Sequence, residues 1–282
     1  MRVTVSDIRK MKAEGKPFSA LTAYDVVTAR LLDETGVPLL LVGDSLGMVV
    51  LGYENTIPVT LGDILHHTRA VVRGTKRALV VADMPFMTYH RSTDQALENA
   101  GRCIQEGGAH AVKLEGGRTM AATIERLTSV GIPVLGHIGL TPQSVHQIGG
   151  FKVQGKTLDA ARRLLDDASA VEDSGAFGIV LECIPTGLAG LITERLSIPT
   201  IGIGAGPRCD AQIQVSSDIL GWLPDFTPKH TRPYAHLAAE ASDAFRRFQE
   251  DVSAGAFPSE KESFSMSDEV LAELRKEPRP PS

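Results

Sequence analysis

Only three cysteines occur in the 282 residues, Cys103, Cys183 and Cys209. The number is odd and the spacing scattered, which excludes a disulfide framework and a CxxC metal site and predicts a reducing, cytoplasmic location. Aromatic residues are also few: nine Phe, four Tyr and one Trp. The apolar mass therefore comes from Ala, Val, Leu and Ile, which suits helices packed on buried parallel strands better than an aromatic-rich sandwich. No apolar run reaches the roughly 18 residues of a membrane span, and the opening MRVTVSDIRK lacks the apolar stretch of a signal peptide. There is no basic excess. The net charge is −5, which argues against a nucleic-acid partner. No GxGxxG follows the first strand, and VGDSLG is not the GxSxG of a nucleophile elbow.

What the chain does contain is a regular alternation. Eight short runs rich in Val, Leu and Ile occupy residues 18–25, 39–44, 78–84, 110–115, 132–137, 178–183, 199–204 and 211–218. All are too short for helices and read as strands. Amphipathic segments lie between them, with caps such as Ser92 and Thr157 and stops such as Gly36, Gly107 and Gly175. Eight strand-then-helix units in 282 residues average about 35 residues each, which predicts a (β/α)8 TIM barrel. An extra helix, Ser6–Glu14 with Ser6 as its cap, precedes the first strand. The predicted organisation is one barrel domain over residues 1–264, with an assembly segment near 255–264. A C-terminal extension, 265–282, carries a short helix capped by Ser267, and its final PRPPS is expected to lack fixed structure.

The positions of the charges carry more information than their number. Barrel enzymes build their sites at the C-terminal ends of the strands. The second run ends in Asp44-Ser45, the third in Asp83, the fourth in Lys113-Leu114-Glu115, the fifth in His137 and the sixth in Glu182. Taken singly, each acidic residue could be a helix N-cap or a surface charge. Four carboxylates in one partly dry mouth repel one another and call for protons or a cation. Oxygen donors without a Cys cluster favour Mg2+ or Mn2+ over Zn2+. Lys113 and Glu115, two apart on a strand, share a face, and the lysine can receive the carboxylate of an acidic substrate. A lone strand-end His such as His137 is commonly structural. Cys183 is expected to point away from the mouth as buried filler. The glycine-rich loop from Gly202 to Gly206 could offer backbone N–H groups to a ligand, or simply turn the chain.

The segments LVGDSLGM (41–48), ADMPFMTY (82–89), VKLEGG (112–117), GHIGLTPQSV (136–145), GGFKVQG (149–155), VLECIP (180–185) and IGIGAG (201–206) resemble, in order, the motifs of the ketopantoate hydroxymethyltransferase (3-methyl-2-oxobutanoate hydroxymethyltransferase) family. The resemblance runs from about residue 3 to 265. It implies a (β/α)8 barrel that transfers a hydroxymethyl group from 5,10-methylenetetrahydrofolate to 3-methyl-2-oxobutanoate. The products are 2-dehydropantoate and tetrahydrofolate, the first committed step of pantothenate and coenzyme A synthesis. It further implies one Mg2+ ion per subunit and a homo-oligomer, typically a decamer built as a pentamer of dimers. By the same resemblance Asp44 and Asp83 hold the metal, with Glu115 joining directly or through water. Asp44, Ser45, Asp83 and Lys113 hold the keto acid, His137 lies beside it, and Glu182 is the proton acceptor. One departure falls near the eighth strand, where QIQVSSDILGW places Ser216-Ser217 at a position that often reads His-Asp in the family. Any contact of that strand with the folate is thereby left open.

Two other readings predict different behaviour. A metal-dependent C–C lyase or mutase of the phosphoenolpyruvate mutase/isocitrate lyase type would share the metal–enolate chemistry, but no KKCGH-like nucleophile loop is present. A non-catalytic assembly barrel would bind no metal, and the clustered rim carboxylates argue against it.

Overall fold

The computed structural model describes residues 1–224 and 227–278. Eight parallel strands close into a barrel in chain order. They are β1 (Phe18–Thr22), β2 (Leu39–Val42), β3 (Leu79–Asp83), β4 (Ala111–Lys113), β5 (Val134–Gly139), β6 (Gly178–Glu182), β7 (Thr200–Ile203) and β8 (Ala211–Gln214). The seam is a parallel pairing of β1 with β8, in which Phe18 faces Ala211 and Leu21 faces Gln214. The expected (β/α)8 architecture is therefore the observed one.

Strand parity explains both the core and the site. Successive side chains on a strand point to opposite faces. Leu39, Leu41, Leu79, Val81, Ala111, Leu135, Val180, Ile201, Ala211 and Ile213 fill the barrel interior. Their neighbours Leu40, Val42, Val80, Ala82, Val112, Ile179 and Leu181 pack outward against the helices. Continuing the inward set by two residues from Val81, Ala111, Leu135 and Val180 gives Asp83, Lys113, His137 and Glu182. The interior thus changes from hydrocarbon to ionisable groups at one level, the C-terminal mouth.

The helices that face the outer side of the strands include α2 (Val26–Glu34), α4 (Leu61–Gly74), α5 (Thr93–Gln105), α6 (Ala121–Ser129), α8 (Leu158–Asp173) and α9 (Thr186–Arg195). Short turns α3 (Leu46–Val49), α7 (Val145–Ile148) and α10 (Ser216–Ile219) lie on the mouth loops. The extra helix α1 spans Val5–Ala13, and its cap is Thr4 rather than Ser6. Thr4 and Asp7 form a reciprocal capping box, which satisfies two helix-end donors at once. Ile8 of this helix is fully buried with the barrel-interior residues, so α1 plugs the end opposite the site. Ser92 and Thr157 cap α5 and α8 as expected, and Ser267 caps α12 (Asp268–Leu274).

The eighth strand is shorter than its sequence run. It stops at Gln214 because Ser216 turns back to the seam. The Ser216 backbone N–H donates to Thr22 Oγ1 at 3.0 Å, and the Ser216 hydroxyl donates to the Thr22 carbonyl. Helix α11 (Leu237–Ser253), which follows, has no buried residue. Leu237, Ala241, Phe245, Phe248 and Val252 recur at helical spacing along it, and Phe245 and Phe248 are 72% and 56% exposed. Phe248 meets Phe257 edge-to-face, but Phe257 and Phe264 also remain exposed. The tail aromatics therefore do not pack on their own barrel. The expectation of an unstructured PRPPS end falls, beyond Pro278, outside the described residues. Among the described residues, no helix is long and apolar enough to cross a membrane.

Candidate active site

The mouth gathers the predicted residues into one buried network. Asp44, Asp83, Lys113, Glu115 and His137 are all buried, and Glu182 is partly exposed at their edge. Lys113 Nζ donates to Asp83 Oδ1 at 2.7 Å and lies 3.8 Å from Glu115 Oε1. Asp83 Oδ2 accepts from the backbone N–H of Asp44 at 3.1 Å. Gly43 lies in the turn that brings Asp44 over β3, where a Cβ would sit 2.8 Å from Ser45 Oγ and displace that hydroxyl. Ser45 Oγ is 2.9 Å from the hydroxyl of buried Tyr24.

His137 lies between two carboxylates. Its Nδ1 is 3.7 Å from Glu115 Oε1, and its Nε2 is 3.2 Å from Glu182 Oε2. Neither pair has hydrogen-bond geometry, and both ring nitrogens and Glu115 Oε1 are buried without another partner. Glu182 closes β6 opposite Gly139, its register partner on β5. Gly139 has φ +96°, and a side chain there would collide with the Glu182 carbonyl. Beyond Glu182 the alternation stops. Cys183 takes φ +47° and is half-buried, so it is not the inert core residue that strand parity predicts. Burial pushes its thiol up to about 11.

Two residues that sequence reasoning passed over complete the network. Gln143, just after the Pro142 that opens a short 3-10 turn, is buried under the carboxylates. Its amide donates to Asp44 Oδ2 at 2.9 Å and to the Met84 carbonyl at 3.0 Å, while its backbone N–H donates to Glu115 Oε2 at 3.1 Å. Its side-chain oxygen accepts from the hydroxyl of buried Tyr89 at 2.6 Å. Both residues stand inside the quoted motifs, in GHIGLTPQSV and ADMPFMTY. Polar side chains in the loops after β3 and β5, on the mouth side of the barrel, are the signal that identifies them.

The electrostatics follow from burial. Removal from water, with Asp83 adding repulsion, pushes the Asp44 carboxyl up to about 7 despite Lys113 and Gln143. Glu115 is pushed well above the usual range, by burial first, although Lys113 opposes the shift. Burial works against the charge on Lys113, but Asp83, Glu115 and Asp44 together outweigh it and raise its pKa. Three buried carboxylates thus face one ammonium. Among the described residues, no three His, Cys, Asp or Glu side chains form a ready-made metal cage. The donor set still suits a hard divalent cation, which commonly takes one or two carboxylates and completes its shell with substrate and water. Glu115 Oε1, which has no hydrogen-bond partner, and the surplus of buried carboxyl groups over ammonium groups both fit such an ion.

The comparisons agree with the motifs. A family model described as Ketopantoate hydroxymethyltransferase matches residues 2–260. Among curated proteins, a 3-methyl-2-oxobutanoate hydroxymethyltransferase of Dehalococcoides mccartyi (strain CBDB1) is 58% identical over 276 residues, covering 98% of this chain and 99% of that protein. Proteins of the same name from Syntrophus aciditrophicus and Carboxydothermus hydrogenoformans are 57% and 55% identical, covering 93% and 97% of this chain and 97% and 99% of their own lengths. Among solved structures, a phosphonopyruvate hydrolase superposes with a TM-score of 0.61 at 14% identity, over 98% of this chain and 95% of that one. A 2,3-dimethylmalate lyase of the PEP mutase/isocitrate lyase superfamily superposes with a TM-score of 0.57 at 16% identity, over 98% and 95%. At such identities these structures speak for the fold alone.

Proposed function

Because this chain belongs to the ketopantoate hydroxymethyltransferase family, we propose that its acidic mouth is where the family's transfer takes place, and we assign its residues their parts. The enzyme moves a hydroxymethyl group onto 3-methyl-2-oxobutanoate, giving 2-dehydropantoate in the pantothenate pathway. The one-carbon donor is 5,10-methylenetetrahydrofolate. With one water supplying the hydroxyl oxygen, the second product is tetrahydrofolate.

The observation that carries this reading is the division of the carboxylates. Asp44, Asp83 and Glu115 are buried and tied to Lys113 and Gln143, while Glu182 stands apart at the open edge with His137 against it. Asp44 and Asp83 would hold Mg2+, with Glu115 direct or through water. When bound there, the ion supplies Lewis acidity toward the oxyanion that develops on the keto acid. Lys113 offsets the charge of the substrate carboxylate, and Ser45, held by Tyr24, donates to a substrate oxygen.

Glu182 takes the C3 proton. An unassisted carboxylate is too weak a base for such a C–H, so stabilisation of the opposite, oxygen end of the enolate is required. Water adds to the methylene carbon as its two C–N bonds break, their electron pairs and the two water protons going to the two folate nitrogens. The enolate carbon attacks the resulting one-carbon aldehyde, forming the new C–C bond, and the aldehyde oxygen takes up the C3 proton held by Glu182 to become the hydroxyl. His137 orients Glu182 and is a positioning residue rather than a proton acceptor. The exposed stripe of α11, with Phe257 and Phe264, supports assembly of several copies, and a decamer of five dimers is the arrangement we propose. Formation of ketopantoate should require both 5,10-methylenetetrahydrofolate and a divalent metal. Full activity in enzyme stripped by EDTA would remove the metal from the scheme.

A further inference from the structure

We propose that Thr56 is a positioning residue of the metal site, its hydroxyl donating to the Asp44 carboxylate that holds a divalent cation. The inference rests on the reading of Asp44 as a metal ligand and adds a residue to it. Thr56 lies between α3 and α4, in the chain that follows β2, and is 3% exposed. Among the described residues, its hydroxyl oxygen has no hydrogen-bond partner.

Three observations support this role. The first is the placement of the hydroxyl. It lies close enough to Asp44 to favour the charged form of that carboxyl, as the Gln143 amide also does, yet it falls short of hydrogen-bond geometry. The second is the set of acceptor sites that Asp44 still offers. An ionised carboxylate has about four lone-pair sites. Gln143 Nε2 occupies one of them, on Oδ2. A cation would take another, and carboxylates that hold metal ions are themselves held by hydrogen bonds. Thr56 is a donor beside the sites that remain.

The third is that the local fold is built by other groups. The Tyr53 N–H donates to the Gly47 carbonyl at 2.7 Å, the Ile57 N–H to Asn55 Oδ1 at 3.0 Å, and the Val59 N–H to the Thr56 carbonyl at 3.1 Å. Buried Val59 packs on Gly47, where a Cβ would sit 2.6 Å from Val59 Cγ2, so the turn from Thr56 to Val59 is pressed against α3. A valine at position 56 would fill the same space without a buried, unpaired hydroxyl, which is unfavourable. The loaded site accounts for the threonine, because there the hydroxyl gains a charged acceptor. Thr68 supplies the comparison. Its hydroxyl is also buried without a partner, but it belongs to α4, with its methyl against Gly107 just after α5.

Thr56→Val keeps the shape and removes the hydroxyl. Mg2+ is titrated by calorimetry into the full-length enzyme after EDTA treatment and dialysis. It should bind Thr56→Val about tenfold more weakly than the wild type, and Thr56→Ser should restore the wild-type Kd. Thr68→Val should bind Mg2+ as the wild type does. In EDTA, Thr56→Val should melt no lower than the wild type, because the hydroxyl it loses is unpaired. Should thermal melting show Thr56→Val to be unfolded, Thr56→Ala carries the same titration. A wild-type Kd in Thr56→Val, or an equal loss in Thr68→Val, would overturn the role of Thr56 while leaving Asp44 as a metal ligand. No Mg2+ binding by the wild-type enzyme, alone or with the keto acid present, would overturn both.

Discussion

His137 Nε2 lies 3.2 Å from Glu182 Oε2 while its Nδ1 faces Glu115 Oε1 at 3.7 Å, so one imidazole stands between the inner carboxylates and the outer one. Glu182→Gln should abolish C3 deuterium exchange of the keto acid, by at least about 100-fold, while the keto acid still binds. His137→Asn should lower kcat more than it changes KM and should alter the pH profile of exchange. Unchanged exchange in Glu182→Gln would require another base.

Lys113→Met tests the buried charge balance. It leaves Asp83 without the ammonium that now lies 2.7 Å away. Breaking a buried pair from one side costs about 3–5 kcal/mol, which predicts a melting point lowered by several degrees and loss of keto-acid binding. Lys113→Met/Asp83→Asn should recover much of the stability and none of the activity. The double mutant is compared by thermal melts and calorimetry.

The raised Asp44 carboxyl predicts a pH dependence of known sign. Its pKa of about 7 exceeds the ordinary 3.8 of an unfolded chain, so the metal-free native state binds a proton that the unfolded state releases. That contribution to stability is fully present below about pH 4 and is lost as pH rises through 7. In EDTA, Asp44→Asn should therefore gain on the wild type between about pH 4 and 7 and level off above that. Mg2+ needs the ionised carboxylate, so wild-type affinity for it should climb over the same range and level off above 7. Parallel melts with EDTA and with Mg2+ check both signs.

Gln143→Leu removes the amide that spans Asp44, the Met84 carbonyl and Tyr89. Residues that orient metal-holding groups typically matter about 10–100-fold in metal affinity. Mg2+ titration of the variant should fall in that range, with a smaller loss of thermal stability. A full-strength titration would make Gln143 a packing residue only.

Phe245→Ser/Phe248→Ser on α11 should leave the barrel folded, since neither side chain is buried in it. Sedimentation should show a smaller particle than the wild type. An unchanged particle would move the assembly surface elsewhere on the molecule.

The barrel was legible because both of its codes are local. Apolar runs gave the strands, and their parity, extended by two residues, already pointed Lys113 and Glu115 the same way. The charged rim was legible for the same reason. Gln143 was not, because its role comes from a turn after β5 that carries it across to β2 and β3, a contact 99 residues away in sequence. Cys183 was misjudged because parity holds only while the backbone stays extended, and the chain becomes left-handed at that residue. The run read for β8 passes its observed end because Val215 continues the strand-favouring pattern and no Gly or Pro marks a stop before Gly221. The bonds that turn Ser216 aside come from Thr22, 194 residues earlier.

That last contact has a kinetic meaning. The bond between Thr22 and Ser216 ties the first strand to the segment after the last, and little can close the ring before β8 has been made. Loop closure over such a separation is slow, and on a ribosome the opening tenth of the protein would wait for its partner through most of synthesis. During that interval the free edges of β1 and the growing sheet are unpaired backbone, open to any other strand. The seam is therefore where misassembly has its longest window, and a chaperone that shields this protein would have the most to protect there.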